Sequence, residues 1–387
     1  MYPNLYYLFK DIFGIEISFL QIFQSFGVMV AVAFLLAAYF FSKELKRKES
    51  EGLIGTTTKK FLKGEPPKTS EIVLSGVFGF IIFYKLIYIA FNFSTFQQDT
   101  QGFILSKEGN FIGGIAGAAL LAYLRWREKK KEQLPKPEEV TLTVHPYEHV
   151  PNMTLIAAIA GILGAKIFHN LENWGDFVKD PVGSLFSFSG LTMYGGLIVA
   201  SVAVIYYAKK NGITTTHLID ACAPALMLAY GVGRIGCHIA GDGDWGIENL
   251  SVKPSWFFLP QWAWAYNYPH NVNNDGIPIP GCEGKFCSVL ENPVFPTPLW
   301  EAMVCIGLFF VLWSLRKKIT VPGTMFSIYL LLNGIERFFI EKIRVNNKYD
   351  IFGMHITQAE IISFFLIILG TAGIFYFRNL HKRDASA

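Results

Sequence analysis

The sequence predicts an all-α, polytopic transmembrane helical bundle of about nine spans. Three observations carry that reading. Hydrophobic residues make up 52% of the chain and charged residues only 17%, against roughly a quarter charged in soluble domains. The apolar residues gather into nine runs close to the roughly 20 residues that a helix needs to cross a bilayer. Every odd-numbered run ends in a cluster of Lys and Arg, the mark of a cytoplasmic flank.

In chain order the runs are Ile17–Ser42, Ile72–Phe91, Phe111–Leu124, Met153–Leu171, Leu191–Ala208, His217–Ala240, Pro298–Leu315, Gly323–Ile340 and His355–Phe377. Nine spans place the termini on opposite sides. With the N-terminus outside, the cytoplasmic stretches 43–71, 125–150, 209–216, 316–322 and 378–387 hold 22 Lys and Arg, and the outside stretches hold 8. The C-terminus is therefore expected in the cytoplasm. No basic segment followed by a short apolar stretch and a small-residue cleavage site opens the chain, so no cleavable signal peptide is expected.

The stretches 43–71 and 125–150 are rich in Lys, Glu, Pro and Thr and read as solvated loops. No internal repeat is visible, which argues against the inverted-repeat transporters. The long segment 241–297 is the candidate extramembrane subdomain. Its Trp245, Trp256, Trp262, Trp264, Tyr266 and Tyr268 suit a surface lying against the bilayer interface. Cys282 and Cys287 fall on the oxidising side, where a small-loop disulfide and two free thiols are both open readings.

Four basic residues fall inside spans: Lys85, Lys166, Arg234 and Arg337. Each costs on the order of 2.5–3.5 kcal/mol at a helix centre, so each needs a partner or a polar cavity. Lys85 reads as structural, its stem lying along its own span. Arg234 lies in Tyr230-Gly-Val-Gly-Arg-Ile-Gly-Cys-His238, shortly before Gly241-Asp-Gly-Asp-Trp-Gly246. Its glycines allow an irregular backbone beside a cavity. Arg337, Glu341 and Arg344 follow the i, i+4, i+7 spacing of one helix face. Two arginines around one carboxylate leave donors that match a phosphate. The alternative is that these charges only pair with one another to hold helices together. Cys237, beside Arg234, reads as a small core residue.

These residues carry a family resemblance. Gly233-Arg-Ile-Gly236 followed by Trp245-Gly246, and Ser189-Gly-Leu-Thr-Met-Tyr-Gly-Gly-Leu-Ile198, resemble signature segments of the prolipoprotein diacylglyceryl transferases. Gly164-Ala-Lys-Ile, Pro296-Thr-Pro-Leu-Trp-Glu301, Arg337-Phe-Phe-Ile-Glu341 and Phe352-Gly-Met-His-Ile-Thr-Gln358 follow in the family's order. The likeness covers about 19–42 and 151–378. The family implies a seven-span core. On that basis 1–42 is the first core span, 43–150 an insert with two extra spans, 151–240 and 298–387 further core spans, and 241–297 an outside, periplasmic loop. The chain departs from the family pattern at Tyr194, where a His is usual before Gly-Gly-Leu-Ile. It departs also at Cys237 and Ala240, where Asn is usual, at Asp242 or Asp244, where a Glu is usual, and at Phe26, where a Tyr is usual.

The resemblance implies a multi-pass enzyme of the bacterial inner membrane, with phosphatidylglycerol and a prolipoprotein bearing a lipobox cysteine as partners. It implies neither metal nor cofactor, and no nucleic acid. The thiol attacks the glyceryl carbon that bears phosphate, a thioether forms and glycerol phosphate leaves. Arginines aimed at the leaving phosphate lower the barrier. Arg234, Arg337 and Tyr194 are the expected catalytic residues. Gly195, Gly196, Gly236, Asp242, Asp244, Glu341, Arg344, Lys166 and His169 are the expected substrate-binding residues. A Tyr with pKa about 10 is a poor base, so Tyr194 as base, Tyr194 as a mere hydrogen-bonder and His169 as base all stay open. The rival readings are a transporter or lipid-binding protein for an anionic lipid, and a non-catalytic scaffold.

Overall fold

A computed structural model describes residues 1–98, 100–186, 190, 192–346, 348–351 and 354–384. Ser189, Leu191, Phe352 and Gly353 of the quoted motifs lie outside the described residues. Among the described residues the nine apolar runs correspond to nine long helices: α1 (Ser25–Ser50), α2 (Thr69–Phe91), α3 (Phe111–Glu132), α4 (Val150–Glu172), α5 (Met193–Lys210), α6 (Thr215–Ala240), α7 (Thr297–Leu315), α8 (Thr324–Glu341) and α9 (Gln358–Asp384). Six of them, α1, α2, α4, α6, α7 and α9, are long and apolar enough to cross a membrane. The other three, α3, α5 and α8, run for 22, 18 and 18 residues and carry charges near one end. The protein is a multi-pass helical membrane protein.

Local chemistry moves several boundaries. The first span begins at Ser25, since Ser18–Ile22 is a separate 3₁₀ turn. The last begins at Gln358, where Thr357 and Glu360 form a reciprocal cap: Thr357 N–H donates to Glu360 at 2.9 Å and Glu360 N–H donates to Thr357 Oγ1 at 3.2 Å. Residues 355–357, expected as helix, belong instead to the second strand of a short hairpin, Met354–Thr357. The expectation of plain loops at 43–71 and 125–150 is also corrected. Helix α1 continues to Ser50, α3 runs to Glu132, and β1 (Thr57–Lys63) pairs antiparallel with β2 (Glu138–Val144). The remaining strands are two short hairpins, β3 (Ile277–Pro278) with β4 (Ser288–Val289) and β5 (Lys348–Ile351) with β6 (Met354–Thr357).

The chain packs as two units. One comprises Met1–Gly55, Pro146–Leu155 and Val204–Ala387. In it α6 packs on α1 and α7, and α8 packs on α9. Ala223, Met227, Val232, Cys305, Phe309 and Leu312 form its buried seam. Asp220 of α6 fastens α8, accepting from Gly323 N–H at 2.7 Å and Phe326 N–H at 2.9 Å. These are donors that the start of α8 cannot satisfy within itself. Asp220 thereby ties the helix carrying Arg234 to the helix carrying Arg337. The 241–297 segment folds on a cluster of rings in which Trp264, Phe295 and Trp300 meet at centroid distances of 5.5–5.7 Å, and Cys282 and Cys287 form a disulfide. Tyr268 is fully buried, whereas Trp256 stays exposed.

The other unit comprises Thr56–His145 and Ile156–Ala203. Its α2–α3 hairpin closes on glycines. A side chain at Gly117 would meet Phe83 and, at 2.6 Å, the Gly79 carbonyl. Gly113 and Gly117 give α3 the small-xxx-small face that lets membrane helices approach closely. Gly117→Leu is expected to destabilise this hairpin by about 1–3 kcal/mol through overpacking, read as a lower melting temperature of the purified protein. An unchanged melting temperature would contradict the packing. The Lys85 ammonium donates to the carbonyls of Phe103, Ser106 and Glu108 at 2.6–3.0 Å.

Candidate active site

The C-terminal turns of α6 and α8, the N-terminal turns of α7 and the segment just after α8 bring three guanidiniums onto one carboxylate. Glu301, in the second turn of α7, is fully buried. Arg234 Nε lies 2.6 Å from its Oε2. Arg344 Nη1 and Arg337 Nη1 lie 3.1 and 3.4 Å from its Oε1. Tyr230, one turn before Arg234 on α6, donates its hydroxyl to Glu301 Oε2 at 2.9 Å. The Arg234 guanidinium stands 5.2 Å from the Tyr230 ring centre. Arg234 and Arg337 thus share a single environment.

Asp244 closes the cluster from the loop after α6. It pairs with Arg234 and, at 2.5 Å, with Arg344. Two features hold the loop there. Gly241, in the left-handed conformation at φ +64°, caps α6. Gly246 then threads between chains, its N–H donating to Phe295 O at 2.8 Å, and a side chain on it would meet Ile343 O at 2.5 Å. Thr297 Oγ1 donates to Asp244 O at 2.8 Å. Burial pushes the Asp244 carboxyl up, but Arg234 and Arg344 outweigh it and hold it below the usual carboxylate range. Neighbouring Asp242 is pushed up by burial and by Asp244. It accepts from Asp244 N–H at 3.3 Å and contacts none of the arginines through a hydrogen bond among the described residues.

The arrangement corrects one expectation. Arg344 does not share a helix face with Arg337 and Glu341. Helix α8 ends at Glu341, and the chain turns so that Arg344 forms a bridge with Gly246 and reaches Glu301 and Asp244. Glu341 pairs with Arg337 at 3.1 Å and accepts from Asn346 at 2.6 Å. At Gly236, Met29 and Phe26 of α1 occupy the space a side chain would need. Gly195 and Gly196, in the second unit, likewise give close approach to α4. A side chain at either would meet the carbonyl of Gly164 or Gly161 at 2.7–2.8 Å. In that unit His169 is hydrogen-bonded to Asn173 at 3.2 Å, Lys166 is buried, and Tyr194 stands in the first turn of α5.

Glu301 is the residue that motif reading left without a role. Its signal was a carboxylate inside a span, the same costly feature that singled out Arg234. Cys237, Asp242 and Asp244 bring a thiol and two carboxylates within 4.8 Å of one another. The Arg234 guanidinium, 3.8 Å from Cys237 Sγ and paired with Asp244, already supplies the positive charge that such a group would draw.

The prolipoprotein diacylglyceryl transferase family model matches residues 134–376. The chain belongs to that family. A phosphatidylglycerol–prolipoprotein diacylglyceryl transferase of Dehalococcoides mccartyi is 25% identical over 286 residues, covering 73% of this chain and 94% of the relative. Enzymes of the same name from Clostridium tetani and Corynebacterium diphtheriae are each 28% identical, covering 58% of this chain and 78% and 76% of theirs. The family match spans α4 to α9 and contains every residue of the arginine cluster, while α1 to α3 lie before it.

Proposed function

We propose that the protein transfers the diacylglyceryl group of phosphatidylglycerol to the cysteine thiol of a prolipoprotein, forming a thioether and releasing glycerol phosphate. Family membership supports the reaction. The observation that carries its placement is the meeting of Arg234, Arg337 and Arg344 on Glu301. Each guanidinium has more N–H donors than these carboxylates use, and Arg344 Nε has no hydrogen-bond partner among the described residues. A phosphate entering the cluster finds donors already oriented. Arg234 and Arg337 hold it, and as the carbon–oxygen bond breaks they meet the charge that grows on the leaving group. Glu301 and Asp244 fix the guanidinium planes, and Glu341 positions Arg337. On the family resemblance alone, Tyr194 is assigned to catalysis and Lys166 and His169 to substrate binding.

We infer nine spans, with the N-terminus outside and the C-terminus cytoplasmic, in a bacterial inner membrane. The asymmetry of Lys and Arg supports this, as does a disulfide in the loop assigned to the oxidising side. The arginine cluster then opens near the outer surface, where a secreted prolipoprotein presents its cysteine. Incubation of the purified protein with phosphatidylglycerol vesicles and a lipobox peptide tests the reaction. The expected result is glycerol phosphate released in equal amount to thioether formed. Lipid binding without release would support a carrier instead.

A further inference from the structure

Between α7 and α8 lies an apolar groove of about 430 Å³. Trp300, Val304 and Leu308, spaced four apart on one face of α7, form one wall, and Leu332, Phe339 and Ile343 form the other. Helix α7 is long and apolar enough to cross the membrane. Glu336 lines it as well. Its residue is 8% exposed, and neither carboxylate oxygen has a hydrogen-bond partner among the described residues. It immediately precedes Arg337. A buried carboxylate without a donor is costly, and its place in the wall of an apolar groove points to a ligand that brings the donor.

We propose that Glu336 takes the proton from the prolipoprotein cysteine, and that the α7–α8 groove receives the apolar peptide segment carrying that thiol. The proposal rests on the transferase reading and names its peptide subsite. The lipid phosphate is an anion and belongs with the guanidiniums; Glu336 repels it. An acyl chain would cover the groove but brings no donor for the carboxylate. An apolar peptide with one thiol satisfies both walls and carboxylate. The thiol needs an acceptor, because only a few per cent of it is ionised at neutral pH.

In the step, the S–H proton passes to the Glu336 carboxylate and the sulfur forms a bond to the glyceryl carbon. That carbon's bond to the phosphate oxygen breaks, and the electron pair leaves with glycerol phosphate onto the guanidiniums. Glu336 then gives the proton to the departing phosphate. The charged and titratable groups around Glu336 are Arg234 and Tyr230 from α6, Glu301 and Cys305 from α7, and Arg337 and Arg344 from α8 and the turn after it. On α9, Glu360 is engaged by Lys342.

The test compares the full-length wild type, E336Q and V304F with phosphatidylglycerol vesicles and a lipobox peptide from pH 7 to 9. For E336Q, kcat at pH 7 is expected to fall about 10²-fold with the lipid KM unchanged. It should then recover about tenfold towards pH 9, where the thiol ionises unaided, a gain the wild type lacks. V304F, which fills the groove, is expected to raise the peptide KM about tenfold and leave the lipid KM alone. Wild-type turnover in E336Q at pH 7, or a loss that does not change with pH, would overturn the proton role. A raised lipid KM in V304F would give the groove to acyl chains and overturn the peptide assignment. A wild type that releases no glycerol phosphate is a separate result, which sinks the transferase reading and this inference together.

Discussion

Replacing Arg234 with alanine is expected to lower transfer about 10³-fold while the protein still inserts and folds. The fold should survive because Glu301 keeps Arg337 and Arg344, and Asp244 keeps Arg344. The rate should collapse because Arg234 contributes charge and donors where the phosphate departs, and one donor aimed at a developing anion is worth about 10²–10³ in kcat. Arg234→Lys should recover little, since an ammonium cannot present the planar fork that meets two oxygens at once. Transfer in the alanine variant within a few-fold of wild type would place the phosphate elsewhere.

Glu301→Gln should have the largest effect on stability. Three guanidiniums and the Tyr230 hydroxyl converge on this carboxylate, which is fully buried. The amide keeps the shape, removes the charge and turns N–H donors towards donors. Breaking a buried pair by removing one partner costs about 3–5 kcal/mol. The expected readout is a marked drop in melting temperature and in the yield of folded protein, with transfer lost even in the surviving fraction. A Gln variant as stable as the wild type would mean that water, not Glu301, holds the arginines apart.

The helices were legible because length and hydropathy are local properties. Each of nine runs became a helix; some ends were cut back by a cap or turn, as Thr357 and Glu360 do at the start of α9, and α1 and α3 ran on through their charged flanks. The 57–63 and 138–144 strands were not legible. Their pairing joins segments about 80 residues apart, and no local period announces a two-stranded ribbon among lysines and glutamates. In the site, Arg234 and Arg337 stood out through the cost of charge inside a span, and the structure brings them together. Arg344 was placed by extending helical spacing beyond Glu341, where the helix had already ended. Glu301 and Glu336 carried the same cost signal as the arginines, but the partner of one and the lack of a partner for the other are tertiary facts.

The most direct measurement is an experimental structure of the protein with phosphatidylglycerol bound. The lipid phosphate is expected within hydrogen-bonding distance, about 3 Å, of guanidinium nitrogens of both Arg234 and Arg337. A phosphate bound elsewhere, with both arginines still closed on Glu301, would contradict it.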